Sequence, residues 1–281
     1  MDKTRHTNAS GWGGFHPAMI LAGAVLAVPL AAFAMLYAAQ RNFIYPGART
    51  GGIVAQGNNE YQQIKTKTED GLELNALYHP AATGMPTILF FHGNNETIDG
   101  AQGALKSLAD EGYGTLLVEY RGYGGNPGRP TEEGLYADGR AAWNWLKSRK
   151  IKGSQIFIAG YSLGTGVASK IASEHKTAGL VLVAPFQSLP VAATYHLGGM
   201  PTNFFMHDRF DTAERLPNIK APVLLIHGTL DRVVHVVNSE ALKKARPDAD
   251  LVIIEDQDHA VIYSAKSQKA MSQWLKEKRA R

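Results

Sequence analysis

A serine flanked by glycines is the clearest chemical signal in this chain. Residues 160–164 read Gly-Tyr-Ser-Leu-Gly and match the pattern G-x-S-x-G, between an apolar run that ends at Ala159 and a helical pattern. In a strand, sharp turn and helix, the glycines let other backbone approach a strained serine whose hydroxyl is presented for reaction. The alternative is a glycine-rich turn in which Ser162 only caps the helix.

A serine hydroxyl becomes a good nucleophile only when a base takes its proton, so the motif requires a histidine and an acid that orients it. In this type of site the acid and the base follow the serine in chain order, each after a later strand. Asp231 follows the apolar run Val223 to Ile226, and His259 follows Leu251 to Ile254. We therefore predict a catalytic triad of Ser162, Asp231 and His259.

Other acids and histidines compete for these two roles. A triad acid normally reaches the histidine from a different loop. This favours Asp231 over Asp256 and Asp258, which are close neighbours of His259 in the sequence. Structural roles are predicted for four other histidines, which lie at a strand end, near a helix start or in an aromatic segment at residues 186–220: His196, His207, His227 and His235.

Acyl transfer also needs hydrogen-bond donors for the oxyanion, each worth about 10²- to 10³-fold in rate. The backbone N–H of Leu163 comes directly after the serine, at the start of a predicted helix. A second donor is expected in the loop after the apolar run Thr87 to Phe91, where residues 92–95 read His-Gly-Asn-Asn. We predict the backbone N–H of Asn94 as this donor, with a plain glycine turn as the alternative.

The elements that must position these residues alternate between apolar runs and amphipathic stretches. Continuous apolar runs bounded by turn residues indicate strands buried on both faces, and hence a parallel sheet covered by helices. An antiparallel hairpin is predicted before them, from Gln62 to Thr68 and from Leu72 to Tyr78. The predicted buried strands are residues 87–91, 115–119, 155–159, 180–184, 223–226 and 251–254.

Helices are predicted between these strands, which gives an α/β fold with a mostly parallel, doubly wound sheet. Thr131 is the expected N-cap of one helix, with two glutamates in its first turn. The other predicted helices are residues 100–111, 163–174, 236–245 and 262–278. Residues 186–220 break the alternation, and such an irregular, aromatic-rich insertion is more typical of a lid than of a second domain.

An apolar segment precedes the α/β pattern. Residues 18–39 carry no charge, and 20 of these 22 residues are apolar, the exceptions being Gly23 and Pro29. A helix of this length spans about 33 Å, close to the roughly 30 Å hydrocarbon core of a bilayer. We predict a tail at residues 1–17, a single transmembrane anchor at 18–39 and a catalytic domain at 40–281. A cleaved signal peptide and a buried core helix are the alternatives, and basic residues on both sides leave the orientation open.

Composition excludes several other classes of protein. With 44% hydrophobic and 19% charged residues in a chain of 281, the sequence is that of a globular protein. There is no cysteine, so disulfides, thiolate zinc sites and a cysteine nucleophile are ruled out. Six basic residues lie between Lys266 and Arg281, a basic tail rather than a nucleic-acid surface. Phosphate-binding, dinucleotide-binding and zinc-protease motifs are missing, so we predict no cofactor and no metal.

Six short segments of the chain carry a family resemblance: residues 41–46 (RNFIYP), 92–94 (HGN), 120–124 (YRGYG), 134–138 (GLYAD), 160–164 (GYSLG) and 221–223 (APV). Together they resemble the membrane-anchored α/β hydrolases of the bud-emergence (Bem-like) type, relatives of serine aminopeptidase-like hydrolases and monoacylglycerol lipases. The resemblance implies an α/β-hydrolase fold, a triad at Ser162, Asp231 and His259, and no cofactor. Asn95 is a departure, because relatives often carry a small Ala or Gly there.

The function expected from the sequence is a serine hydrolase that cleaves ester or thioester bonds of small-molecule or lipid-linked acyl substrates through an acyl-enzyme. A single-pass membrane location is expected from the anchor. One alternative is an aminopeptidase-like serine peptidase, in which acids of the predicted lid bind a substrate amine: Asp208, Asp211 and Glu214. Those acids could equally pair with Arg209 and Arg215. The other alternative is a membrane-tethered scaffold without catalytic activity.

Overall fold

The computed structural model describes residues 31, 33–49, 60–200 and 202–279. The chain divides into two compact units, residues 1–40 and residues 41–281. In the first unit the described residues 33–40 are helical. The second unit begins with helical residues 41–44, here called α1, and contains all the strands described below.

The predicted anchor at residues 18–39 falls largely outside the described residues, as does the predicted tail at 1–17. Of the anchor, only residues 31 and 33–39 are described, and they are helical. Among the described residues, none of the helices combines the length and the apolar character needed to cross a bilayer. The transmembrane anchor and the membrane location therefore stay predictions.

The second unit is built on an eight-stranded sheet with the strand order β1-β2-β4-β3-β5-β6-β7-β8. The β1–β2 hairpin and the β2–β4 pair are antiparallel, and all the other pairs are parallel. This confirms the predicted α/β fold with an antiparallel N-terminal hairpin. The strands are β1 (Gln62–Lys67), β2 (Glu73–His79), β3 (Thr87–Phe91), β4 (Gly114–Val118), β5 (Ile156–Tyr161), β6 (Gly179–Val183), β7 (Val223–Gly228) and β8 (Asp250–Ile254).

Helices cover both faces of this sheet. Successive residues of β3 belong to different hydrophobic clusters, Leu89 and Phe91 to one and Ile88 and Phe90 to the other. Both faces of the strand are therefore buried, which explains its unbroken apolar run. The helices after α1 are α2 (Ile98–Asp110), α3 (Glu132–Ser148), α4 (Leu163–Glu174), α5 (Leu189–His196), α6 (Thr212–Arg215), α7 (Val237–Ala245) and α8 (Ala265–Arg279).

The last helix begins later than the apolar pattern suggests. Residues 262–278 were expected to be helical, but His259–Tyr263 form a 3-10 helix and α8 starts at Ala265. The carboxylate of Asp258 accepts a hydrogen bond from Ala260 N at 2.9 Å, and Ser264 has an extended backbone that separates the two elements. Local capping thus overrides the apolar periodicity and places His259 in a tight turn.

Candidate active site

Ser162 lies in a sharp turn between β5 and α4. Its backbone has φ 50° and ψ −119°, a conformation that costs energy for a residue with a Cβ. The flanking glycines are required sterically, because a Cβ at Gly160 would collide with the carbonyl of Gly164, and one at Gly164 with the carbonyl of Phe91. Ser162 N donates to Val183 O of β6 at 3.0 Å, which holds the turn against the sheet.

The three residues of the predicted triad meet at the carboxyl ends of their strands. His259 Nε2 lies 2.9 Å from Ser162 Oγ, and His259 Nδ1 lies 2.8 Å from Asp231 Oδ2. An ionised carboxylate can only accept a hydrogen bond, so Nδ1 carries the proton and Nε2 is left to accept one from the serine. This arrangement can activate a serine hydroxyl as a nucleophile.

The carboxylate of Asp231 is held from both sides. Its Oδ1 atom accepts hydrogen bonds from Val233 N and Val234 N, both at 2.8 Å. Burial alone would raise the pKa of Asp231, but hydrogen bonds from His227 and His259 outweigh it and hold the pKa well below its usual range. Asp231 is therefore ionised whenever the protein is folded near neutral pH.

His227 contacts the predicted acid directly, a contact that sequence reasoning missed. Its Nε2 atom lies 3.3 Å from Asp231 Oδ2 and 2.7 Å from Val234 O, while Nδ1 lies 2.6 Å from the hydroxyl of Ser239. Both neighbours of Nε2 are acceptors, so Nε2 carries the proton. The structural role predicted for His227 thus includes orienting Asp231, and its spacing of four residues from Asp231 across the turn after β7 was the available signal.

The two alternative acids have other partners. Asp258 accepts the hydrogen bond from Ala260 N, and Asp256 N donates to Thr229 Oγ1 at 3.0 Å. Within the described chain, neither carboxylate contacts the imidazole of His259. Tyr161 contacts both the backbone and the ring of His259. Its hydroxyl donates to His259 O at 2.9 Å, and the centres of the two rings lie 5.3 Å apart.

The two predicted oxyanion donors lie in adjoining backbone. Gly164 of α4 closely approaches the carbonyls of Phe91 and His92, so the turn that carries Leu163 sits against the loop after β3. Across the described residues, no hydrogen-bond acceptor is paired with the N–H of Leu163 or of Asn94. The N–H of Gly93 is already used, because it donates to Glu96 Oε2 at 3.1 Å.

A buried ion pair stabilises the loop after β3. His92 Nε2 lies 3.0 Å from Glu119 Oε1, and both side chains are almost completely buried. Burial opposes the charged imidazole, but the carboxylate of Glu119 outweighs it and raises the pKa of His92. The second oxygen of Glu119 accepts from Ile98 N at 3.1 Å, so one carboxylate ties both ends of the loop. Sequence reasoning missed Glu119, which it placed at the end of a strand.

Two of the three acids considered in residues 186–220 form ion pairs with arginines. Arg41 Nε lies 3.1 Å from Asp208 Oδ2, and Arg209 Nε lies 2.9 Å from Asp211 Oδ2. Arg215 pairs instead with Glu132 of α3 at 3.4 Å. Glu214 is exposed. Two of the three acids considered as an amine site are thus neutralised by arginines.

Aromatic residues of the same segment have two different environments. Phe210 is fully buried and packs edge-on against Tyr136, whereas Phe204 is 89% exposed and Tyr195 is half exposed. The segment therefore has a buried base in the hydrophobic core and an apolar outer surface.

Metal-site geometry and a second cavity were the two features of the described chain that could compete with this site. No group of three or more histidines and carboxylates has the geometry of a metal site in the described ranges. A surface cavity of about 420 Å³ is lined by residues near the starts of β3 and β5, among them Pro86 and Gln155, and contains none of the predicted site residues. In parallel α/β sheets the chemistry is found at the opposite, carboxyl edge.

The fold and the geometry at Ser162 define the class as an α/β hydrolase with a site like that of serine hydrolases. Residues 85–207 match the family model described as serine aminopeptidase, S33. The chain is 34% identical over 229 residues to an uncharacterized protein of Mycobacterium tuberculosis, which covers 78% of this chain and 79% of that protein. The protein therefore belongs to the same family as this mycobacterial relative, a family of α/β hydrolases.

Two further comparisons agree with this assignment. The protein bem46 of Schizosaccharomyces pombe is 29% identical over 231 residues, which covers 75% of this chain and 76% of bem46. An esterase of Pyrococcus furiosus superposes with a TM-score of 0.66 at 21% identity, covering 80% of this chain and 96% of the esterase. These comparisons confirm the α/β hydrolase that the resemblance implies, and the membrane anchoring that is part of the resemblance stays a prediction.

Proposed function

We propose that this protein is a serine hydrolase that cleaves carboxylic ester or thioester bonds through an acyl-enzyme intermediate. The observation that carries the proposal is the continuous hydrogen-bonded chain from Ser162 Oγ through His259 to Asp231, with contacts of 2.9 and 2.8 Å. A serine, a histidine of defined tautomer and a buried carboxylate are the groups that acyl transfer requires.

In the proposed reaction, His259 Nε2 takes the proton of Ser162 as Oγ attacks the acyl carbonyl carbon. The negative charge that develops on the carbonyl oxygen is stabilised by the N–H groups of Leu163 and Asn94. The protonated His259 then gives its proton to the departing alcohol or thiol, which leaves the acyl group on Ser162. Water repeats the sequence with His259 as base and releases the acid, so no cofactor or metal takes part.

Ester or thioester cleavage is favoured over peptide cleavage because two acids of the predicted lid are already paired with arginines. Asp208 and Asp211, which could have bound a substrate amine, are paired with Arg41 and Arg209. The P. furiosus neighbour is described as an esterase. The description of the matching family as serine aminopeptidases keeps the peptidase as the second candidate.

The proposed substrates are small-molecule or lipid-linked acyl compounds. The exposed apolar side chains of residues 186–220 would suit an acyl chain, because burying apolar surface is favourable by about 25 cal/mol per Å². They include Tyr195, Met200 and Phe204. A single-pass membrane location, with the anchor at residues 18–39, is part of the same proposal. A non-catalytic scaffold is the outcome to expect if the site does not react.

The test compares Ser162→Ala with the wild type on p-nitrophenyl esters of increasing acyl length and on aminoacyl p-nitroanilides. We expect kcat on the esters to fall by about 10³-fold or more, since the nucleophile is lost. Ser173→Ala is the matched control, because Ser173 is an exposed serine of α4 whose hydroxyl donates to Lys170 O within the same helix. A fluorophosphonate probe should label the wild type and the control but not Ser162→Ala.

Each result distinguishes the candidates. Ester activity of Ser162→Ala equal to that of the wild type would overturn the proposed role of Ser162. Cleavage of the nitroanilides at rates comparable to the esters would favour the peptidase. A wild type that neither turns over esters nor reacts with the probe would favour the scaffold.

A further inference from the structure

Residues 41–47, here called the strap, contact both the segment at residues 186–220 and the loop after β3. At one end, Arg41 Nε and Nη2 donate to the carboxylate of Asp208 at 3.1 and 3.2 Å. The hydroxyl of Tyr45 donates to the same carboxylate at 2.8 Å, and Tyr45 is 1% exposed. The strap is therefore attached to the base of residues 186–220 by buried or partly buried polar contacts.

The other end of the strap contacts the loop that carries the proposed oxyanion donor. Asn94 Nδ2 donates to Ile44 O at 3.0 Å, and Gly47 N donates to Asn94 O at 3.2 Å. The hydroxyl of Tyr123 donates to the same carbonyl of Asn94 at 2.9 Å. Three hydrogen bonds from outside the loop thus converge on Asn94, and two of them come from the strap.

These contacts determine how Asn94 is oriented. The carbonyl of Asn94 accepts hydrogen bonds from Gly47 N and the Tyr123 hydroxyl, and its side chain donates to Ile44 O. The preceding peptide, which carries the N–H of Asn94, is held because its carbonyl oxygen, Gly93 O, lies 2.7 Å from His92 Nδ1. With both flanking peptides fixed, the N–H of Asn94 is left with one direction. A donor held in place before the reaction stabilises the oxyanion without a cost of reorganisation.

We propose that the strap is a positioning element of the active site, which sets the direction of the Asn94 N–H towards the developing oxyanion. The inference rests on the proposed function, since it presumes acyl transfer at Ser162. None of the strap residues touches the reacting atoms, so they act through Asn94. The segment that joins the predicted anchor to the sheet is then a part of the catalytic apparatus rather than a passive linker.

Gly47 offers a sharp way to disturb this contact. A Cβ built on Gly47 lies 2.5 Å from the Tyr123 ring and 2.9 Å from Asn94 O, closer than real Cβ atoms come to such atoms. The backbone of Gly47 is not in the left-handed region, so alanine is conformationally acceptable there and only the crowding changes. Gly47→Ala must therefore push on Tyr123 and on the carbonyl of Asn94.

The experiment measures kcat and KM of the full-length Gly47→Ala variant on a p-nitrophenyl ester. We expect kcat to fall about 10- to 100-fold with KM within about twofold, because the oxyanion contact forms only in the transition state. Gly100→Ala is the matched control: it lies on α2, and no atom is within 4 Å of its added Cβ. The denaturation midpoints of both variants are measured, to separate a catalytic effect from unfolding.

An alkyl boronic acid supplies the measurement that a purely structural role would not affect. It forms a tetrahedral adduct with the serine whose oxygen occupies the oxyanion position, so its affinity should fall by about the same factor as kcat in Gly47→Ala. Asn94→Ala and Tyr123→Phe are the second pair of variants, each losing one of the three hydrogen bonds, and kcat should fall about 3- to 10-fold in each.

The outcomes separate this inference from the proposed function. A wild type without ester activity or probe labelling overturns both. An active wild type, with Gly47→Ala at full kcat and full boronate affinity, overturns the strap proposal alone. If Gly47→Ala unfolds, wild-type kcat in both Asn94→Ala and Tyr123→Phe has the same meaning.

Discussion

The predicted triad and the predicted oxyanion loop occupy the same edge of one sheet, but they are held there in different ways. Ser162, Asp231 and His259 each lie within five residues of the end of a parallel strand, β5, β7 and β8. The loop at residues 92–97 also follows a strand, β3, yet its orientation depends on backbone and side-chain hydrogen-bond partners from distant parts of the chain. Those partners are Ile44, Gly47, Glu119, Tyr123 and Tyr263.

The sheet by itself brings the triad residues together, whereas the loop needs contacts in addition to the sheet. Parallel strands end at a common edge, so residues placed just after them come together without further support. In the proposed function the loop must instead direct a single N–H, and a peptide plane in a loop is not oriented by the sheet. The loop is held by hydrogen bonds that span as much as 167 residues, as between Tyr263 and Glu96.

Asp231→Asn tests the triad and should have the largest effect. An amide at this position can donate to Nδ1 and so favours the wrong tautomer of His259, and kcat should fall about 10³- to 10⁴-fold. Ester kinetics at neutral pH measure it. Asp256→Asn is the control and should stay near the wild type, because asparagine tolerates the left-handed backbone of that position, with φ 59°. Equal losses in the two variants would remove the distinction between Asp231 and its neighbours.

Glu119→Gln tests the support of the loop. The amide has one acceptor oxygen in place of two, so its NH2 group faces either Ile98 N or His92 Nε2, and the charge beside buried His92 is lost. We expect a loss of about 2–4 kcal/mol in the free energy of unfolding, and a fall in kcat of about 10-fold as the loop shifts. Chemical denaturation and ester kinetics measure the two effects. Glu73→Gln, at an exposed pair with Lys65, should change stability by less than about 0.5 kcal/mol.

A loss of stability in Glu119→Gln without any change in kcat would contradict the link between the ion pair and the loop. The orientation of the loop would then not depend on the contact between Glu119 and His92.

The contributions of Asp231 and of His92 to the free energy of unfolding should depend on pH in opposite directions. We expect this effect to be the smallest of the three. The pKa of Asp231 is lower in the folded protein, so its contribution is present above the ordinary aspartate value of about 4 and is lost as the pH falls below it. The pKa of His92 is raised by folding, so its contribution is present below the ordinary histidine value of about 6.5 and is lost as the pH rises through the folded value.

Unfolding free energies measured between about pH 3 and 9 test this contrast. The stability advantage of the wild type over Asp231→Asn should narrow in acid, and its advantage over Glu119→Gln should narrow in alkali. Parallel pH curves for the wild type and both variants would contradict the assignment.

Much of the fold could be predicted because its signals are local. The continuous apolar runs predicted β3 with its observed bounds and the other buried strands within two residues, since a strand buried on both faces is composed mostly of apolar residues. The start of α8 was misplaced, because the capping by Asp258 competes with apolar periodicity and sequence alone does not say which prevails. Glu119 was taken for the last residue of a strand, although it lies just beyond β4 and reaches His92.

The sequence by itself determined the α/β class and the chain order of Ser162, Asp231 and His259, because strand ends and a glycine-flanked serine are visible in short windows. Only the tertiary structure decided that His227 contacts Asp231, that Glu119 supports the loop and that the strap holds Asn94. The physical reason is distance along the chain. Asn94 and Ile44 are 50 residues apart and belong to no common sequence motif, so their contact forms only when the chain has folded.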